Sequence, residues 1–588
     1  MKRVWVILAV AACGIGATEV RARDLPVATR GGQAVSSLDV GLLTPSDQGP
    51  VVQNWDSFDI GRGRTFDVLN NTGVLINNVV GRRGISQLQG TLNSWTGDAD
   101  STVGGDVVIL NPQGIRVNNG FQFNGSQLVL TSENTLAETL DWDYQNLTVA
   151  GGTPENFLGV AILTPEPFSV TGGAMFLNAA GNITGNASFD VAEGGGFAAN
   201  GANVATFGAV EIGNVVDFSV SAGQTVAFTG NITNNGSFSV GAGNTATFRG
   251  VDNADIFIAN AGTSLVFGNV TNQENADFDA IAGKVISFGN VVNQANASFD
   301  AVSQGSEVFR NVTNEGTLTA TAITALSFGN AINLSGGEWN ADSHGAAVFR
   351  AVTNDGTFTS TAGTTLSFGN VTNESNGTFA ATAGTGASRL GNLVFANVTN
   401  QGDFTGVATN LLRANRFVQN SEGLTGSGDY TLQSTAGMVS VSQVQVAESD
   451  TFSVFASTNA TIGKLQNAGT TTVDAGKTLT VSSITGETGL TTLSGNRVVV
   501  GRANGQAELN LASNHITTGR LNNLTALAIT DGDMDDPAAP SRFTVTRGLG
   551  VDDITIGTTA YTVREQFVNR AALVLTQNNF ERYLDDGT

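Results

Sequence analysis

Ser264-Leu265-Val266-Phe267-Gly268-Asn269-Val270-Thr271-Asn272 and, one step on, Val285-Ile286-Ser287-Phe288-Gly289-Asn290-Val291-Val292-Asn293 decide the fold. They are two copies of one pattern. Its final asparagine recurs as Asn234, Asn253, Asn272, Asn293, Asn314, Asn333, Asn354 and Asn373, at steps of 19 or 21 residues. Five residues before seven of these stands a phenylalanine: Phe248, Phe267, Phe288, Phe309, Phe328, Phe349 and Phe368. A second large apolar residue follows each asparagine, as in Phe257, Phe278, Leu318 and Trp339. Length varies at one place only: Asn354 and Phe358 are four apart, Asn373 and Phe379 six apart. A stack of coils tolerates this, because a corner loop bulges into solvent while the walls keep their length. A helical repeat would show apolar spacings of three and four, and these windows do not.

The expectation is an all-β chain: a three-sided parallel β-solenoid with coils of about 19–21 residues, capped at its N-terminus. Phenylalanine and valine point inward, each coil lying about 4.8 Å above the last. Asn253, Asn272, Asn293, Asn314, Asn333, Asn354 and Asn373 are expected to form a ladder of side-chain amides that also bonds the corner backbone. Gly268-Asn269, Gly289-Asn290 and Gly369-Asn370 are expected to turn a corner through positive φ. Glu307 and Ala347 take a position held elsewhere by Leu265, Ile286, Leu326 and Leu366, which marks imperfect packing.

Outward from the repeat, residues 1–22 read as an export signal. Lys2 and Arg3 precede an apolar stretch, Val4 to Ala17, that is too short to span a bilayer. Cys13 is the only cysteine and falls inside that stretch, where Val10-Ala11-Ala12-Cys13 also fits a lipid-attachment pattern. No later run of apolar residues is long enough for a transmembrane helix. Residues 23–135 form a separate module, 136–510 the coils (clearest over 207–424), and 511–588 a C-terminal region. In that last region Val563, Phe567, Ala571 and Val574 are spaced for a capping helix. The chain has 588 residues, 50 acidic against 27 basic side chains and a net charge of −23, which argues against a nucleic-acid partner.

Before the repeat stand Asn54-Trp55-Asp56-Ser57-Phe58-Asp59-Ile60-Gly61, Val79-Val80-Gly81 with Ser86-Gln87-Leu88-Gln89-Gly90, and Asn111-Pro112-Gln113-Gly114-Ile115. In this order they resemble the N-terminal secretion domain of filamentous-haemagglutinin-like exoproteins of two-partner secretion systems. The resemblance covers about 110 residues, and the downstream coils match that family only in style. It implies a right-handed parallel β-helix, recognition of the N-terminal module by an outer-membrane barrel transporter, and a secreted or bacterial cell-surface location. Carried over by residue, the secretion motif comprises Asn111, Pro112, Gln113, Gly114 and Ile115, with Asn54, Phe58 and Gly61. Gln113 stands where the family has a second asparagine, and keeps the amide on a longer reach.

Catalysis has little to work with. His344 and His515 are the only histidines, and no cysteine joins them. Asp277, Asp279 and Asp300 are candidates for a carbohydrate-cleaving carboxylate pair but read as solvated edges beside turns. Asp531, Asp533 and Asp535 are spaced as in some calcium loops; Asp536 stands where such loops need glycine, so an acidic surface loop is the first reading. Asn269, Asn311, Asn370 and Asn397 open Asn-x-Thr triplets that belong to the repeat itself. No cofactor and no enzyme activity are expected. The functional expectation is an adhesin-like exoprotein that binds host, neighbouring-cell or matrix ligands; the alternatives are a contact-dependent toxin or a β-helical carbohydrate-active enzyme.

Overall fold

The computed structural model describes 51–69, 196–530 almost throughout (215, 385–389, 420–428, 487 and 506 excepted), 542–551 and 553–556. It also describes shorter segments between 27 and 191 and between 559 and 585. The described residues are all β, with parallel strands stacked in a solenoid of about 16 turns. Two compact units are present. The first comprises Met1–Ser188 and Gly194–Ala205, the second Phe189–Glu193 and Thr206–Thr588.

In the second unit a coil consists of a six-residue strand and a nine-residue strand, for example Ile256–Ala261 and Ser264–Asn272. Along the longer strand, Leu265, Phe267, Val270 and Asn272 are buried, while Gly268 and Asn269 both face outward. Two outward residues in succession shift the phase of the alternation. The strand therefore bends there, and both its arms point inward. With the shorter strand this gives three flat sides. Each strand pairs in parallel with its equivalent in the next coil, so Phe267 lies in register with Phe288 and Asn272 with Asn293.

The Gly-Asn bend differs from expectation. Gly268, Gly289 and Gly369 are not among the residues with positive φ. Close approach demands the glycine instead: a Cβ on Gly268 would lie 1.8 Å from the Arg249 carbonyl oxygen of the coil below. Positive φ occurs in the longer corners, at Asn275 (64°), Asn296 (59°) and Gly336 (84°). These are the corners with the two extra residues, where asparagine and glycine tolerate the left-handed conformation best. From Phe309 to Phe368 the two kinds of coil alternate. Phe309-Arg310 and Phe349-Arg350 precede a four-residue corner, Phe328-Gly329 and Phe368-Gly369 a six-residue one.

Two phenylalanine columns fill the core. Phe267 and Phe288 stack at 4.8 Å with 9° between their planes, and Phe278 and Phe299 at 4.6 Å with 2°. The columns meet edge to face, as Phe267 meets Phe278 at 5.4 Å and 65°. Leu318 and Trp339 occupy one column without breaking the other, since Phe309, Phe328 and Phe349 continue to stack. Ala347 shares a coil with Trp339, so a small side chain accompanies the largest.

Coiling runs on to Arg542–Val551 and Asp553–Ile556, which still pair in parallel with the strands before them. The expected helix after Tyr561 is not formed. Thr559–Val563, Phe567–Val568 and Leu573–Leu575 are strands that fold back antiparallel on Asp553–Ile556 and Arg542–Val551. The physical reason is the open edge of the last coil. Its unpaired N–H and C=O groups accept a strand partner, and Tyr561-Thr562-Val563 and Leu573-Val574-Leu575 are β-favouring segments.

The first unit has its own parallel strands, Val51–Ser57, Val74–Val79, Asp106–Leu110 and Gln127–Thr131, each paired with the next. A separate four-stranded sheet joins Ser37–Asp39, Thr65–Leu69, Thr91–Trp95 and Gln122–Asn124. Val27–Ala28 pairs antiparallel with the strand Val51–Ser57.

Candidate functional site

The asparagine ladder is continuous and buried. Nδ2 of each residue donates to Oδ1 of the residue one coil on: Asn253 to Asn272 at 2.8 Å, Asn272 to Asn293, Asn293 to Asn314 and Asn314 to Asn333 at 2.9 Å. Asn333 donates to Asn354 at 2.8 Å, Asn354 to Asn373 at 2.7 Å, and Asn373 to Asn400. Each amide also holds corner backbone; Asn293 Nδ2 reaches the carbonyls of Ala297 (3.2 Å) and Thr317 (2.9 Å). All these amides point the same way along the stack, so neighbouring dipoles reinforce one another. At the next level Gln419 stands in register with Asn400, and its longer amide has no partner on either atom.

A second ladder, outside the core, was not anticipated. Asn311 Nδ2 donates to Asn290 Oδ1 at 2.8 Å, Asn330 to Asn311 at 3.0 Å, and Asn397 to Asn370 at 2.9 Å. These side chains line the bend in the longer strand, and they include the asparagines of the Asn-x-Thr triplets. The signal in the sequence was the asparagine after Phe-Gly or Phe-Arg. Its place at a bend between two flat sides depends on the alternation shift.

In the N-terminal module, the motif residues build the interior. Trp55, Phe58 and Phe66 pack edge to face around one another with centroids 5.4–5.8 Å apart. Trp55 Nε1 donates to Asn77 Oδ1 at 2.9 Å, and Asn77 Nδ2 donates to the Val108 carbonyl at 3.3 Å. Gly61 lies at a turn whose carbonyl accepts from the Arg64 N–H at 3.0 Å. Asn111 is 1% exposed. Its Oδ1 accepts from the Gln113 N–H at 2.9 Å, its Nδ2 donates to Ser86 Oγ at 2.9 Å, and its carbonyl accepts from the Gly114 N–H at 2.9 Å. Gly114 takes φ of 111°, a conformation that glycine adopts freely. Ser86 N–H in turn donates to the Gly114 carbonyl at 3.1 Å, which links the second and third motifs, and Ile115 is buried. Asn111 therefore shapes the turn from inside. Pro112 and the side chain of Asn54 lie outside the described residues.

The chemical candidates do not converge. His344 is exposed at a corner and His515 is exposed on a strand, eight coils further along the same stack. Asp277 opens the strand Asp277–Ala282 directly after a corner turn, as expected, and Asp279 lies further along its outer face, in register with Asp300. Partial burial, then Asp300 and Asp277, raise the Asp279 pKa above the usual carboxylate value. Among the described residues no group of three or more His, Cys, Asp or Glu could hold a metal. Asp531, Asp533 and Asp535, Cys13 and the export signal fall outside the described residues. No described helix is long and apolar enough to cross a membrane.

The arrangement is a stiff stack with repeated, flat outer faces and variable corners. No protein-family model matches this chain, and no curated protein matches it.

Proposed function

We propose that this chain is an adhesin-like, non-catalytic exoprotein, exported through a partner outer-membrane barrel transporter and displayed as a coil stack to host, neighbouring-cell or matrix ligands. The observation that carries the reading is the nearest-neighbour construction of the stack. Each coil completes its aromatic columns, amide ladder and strand pairing on the coil before it, so the chain can emerge unfolded and fold one coil at a time. Folding outside the cell then biases threading in one direction. A chain whose only cysteine lies within the export signal also carries no disulfide to obstruct a pore. The linked turns at Ser86 and Asn111–Gly114 support a rigid surface for the transporter to read, with Asn111 holding the surface and not touching the transporter. The experiment is export of the full chain with and without a co-expressed partner transporter. Extracellular protein is expected only with the transporter, and Asn111→Ala is expected to reduce it. Equal release in both strains removes the export route from this reading.

A further inference from the structure

The last coils carry a feature for which display alone has no use. The longer side of each coil from Ala460 onward is formed by Ala460–Asn467, the second halves of Thr470–Thr485 and Leu490–Asn504, then His515–Leu524 and Arg542–Val551. On these segments Lys464, Arg497, Arg502, Arg520 and Arg547 are exposed, with Lys477 at the corner that precedes one of them. No Asp or Glu occurs on them, in a chain whose acidic residues outnumber its basic ones by 50 to 27. The described acids of these coils, Asp474, Glu508 and Asp553, lie on the other, shorter side, and Glu487, Asp531, Asp533, Asp535, Asp536 and Asp552 fall outside the described residues.

Register sharpens the point. Arg502 pairs with Arg520, and Arg497 with His515, on directly adjacent strands. Like charges opposite one another, as Arg502 and Arg520 are at about 4.8 Å along the backbone, destabilise a sheet, and a carboxylate at either position would relieve them. None is at either position, and among the described residues no side chain neutralises Arg497 or Arg502. A fold maintained for stability alone would not stack its few cations in this way. An anion spanning several coils would bring them into balance, and guanidinium forks match carboxylate and sulfate oxygens in pairs.

We infer that this face, five coils and about 20 Å tall, binds an acidic polysaccharide. No aromatic ring points outward from these segments, since Phe543 is buried, so single-stranded nucleic acid would find no stacking platform. A long, stiff duplex would also lie in the field of a chain whose net charge is −23. A flexible glycan can confine itself to the basic coils. This inference rests on the adhesive reading and gives it a ligand class. Its test uses purified protein, so failure here leaves export and cell adhesion as separate questions.

The purified full chain is offered an immobilised polyuronate, an immobilised sulfated glycosaminoglycan and a short DNA duplex. Binding to one or both glycans is expected, and the two glycans separate carboxylate from sulfate recognition. Affinity should fall about tenfold or more between low and physiological salt. Arg502→Gln with Arg520→Gln should weaken binding by about tenfold, whereas Arg310→Gln with Arg350→Gln, on earlier coils, should not. Relief of the Arg502–Arg520 repulsion should leave the thermal midpoint of the first double variant unchanged or raised. Absence of glycan binding at low salt overturns the inference, as do salt-independent binding, tighter binding to the duplex, and equal binding by the Arg502/Arg520 variant. Self-association that accounts for all salt-sensitive retention also overturns it, in favour of a second copy as the anion.

Discussion

Glu307 lies in register between Ile286 and Leu326, a carboxyl group stacked within an aliphatic column. It is fully buried, neither carboxyl oxygen is hydrogen-bonded, and Ser303 lies beside it. Burial pushes its pKa up from 4.5 to about 9, so at neutral pH the proton is retained.

The sign of the resulting pH dependence follows from that shift. The fold favours the protonated form, so the coil is most stable below 4.5 and loses stability as pH rises toward about 9. Within that window the loss is about 1.4 kcal/mol per pH unit. Glu307→Leu should abolish the slope and slow amide exchange of the strand Ser306–Asn314 at neutral pH. Exchange rates that remain pH-dependent in the variant, after correction for intrinsic chemistry, would count against a buried, neutral Glu307.

The two asparagine ladders should differ in worth. Asn293→Ala removes an amide buried between Asn272 and Asn314 and strands the groups it bonded, each costing about 1–3 kcal/mol. Asn290→Ala removes an exposed amide and should cost less than about 0.5 kcal/mol. Urea denaturation of the two variants makes the comparison, and equal midpoints would contradict the ladder's structural role.

Glycines at the bend and in the corner should fail for different reasons. Gly329→Ala places a Cβ 1.8 Å from the Arg310 carbonyl oxygen, and backbone must move. Gly336→Ala meets nothing within 4 Å but must hold φ of 84°. The second should cost about 1 kcal/mol, the first clearly more, read as the difference in thermal midpoints.

Asp279 and Asp300 form a like-charged pair on one outer face. Asp300→Asn should lower the Asp279 pKa by removing the larger of its two charge contributions, leaving the effect of partial burial. Carboxyl chemical shifts followed through a pH titration measure this directly. An unchanged Asp279 titration would mean the two side chains point apart in solution.

Much of the fold was legible because Phe267, Asn272 and their equivalents recur at fixed distances, and as far as Phe379 only the Asn-to-Phe corner changes length; beyond it the corner between Ala383 and Asn392 lengthens as well. The inward side of the coil therefore followed from spacing alone. The role of Gly268 did not, because its constraint comes from the carbonyl of Arg249 in the coil below. The segment from Tyr561 misled for a similar reason: apolar residues at helical spacing say nothing about an open strand edge waiting nearby. The basic face was hidden because Arg502 and Arg520 are 18 residues apart, off the 19- and 21-residue rhythm, and align only once strands are paired. In the N-terminal module the motif order was visible, but the burial of Asn111 was not.

The pairing of Arg310 with Gly329, and of Arg350 with Gly369, bears on how such a gene can grow or shrink. Repetitive coding DNA loses and gains units by slippage and unequal exchange. Loss of the single coil containing Gly329 would seat Arg350 directly over Arg310, so the bend would have to shift to admit a β-carbon, as in the later coils where Asn415 lies over Ala396. Loss of an Arg-bearing coil sets glycine on glycine, an arrangement that Gly268 and Gly289 already adopt. Inheritance should thus favour length variants lacking an Arg coil, or an Arg–Gly pair, over those lacking the glycine coil between two arginines.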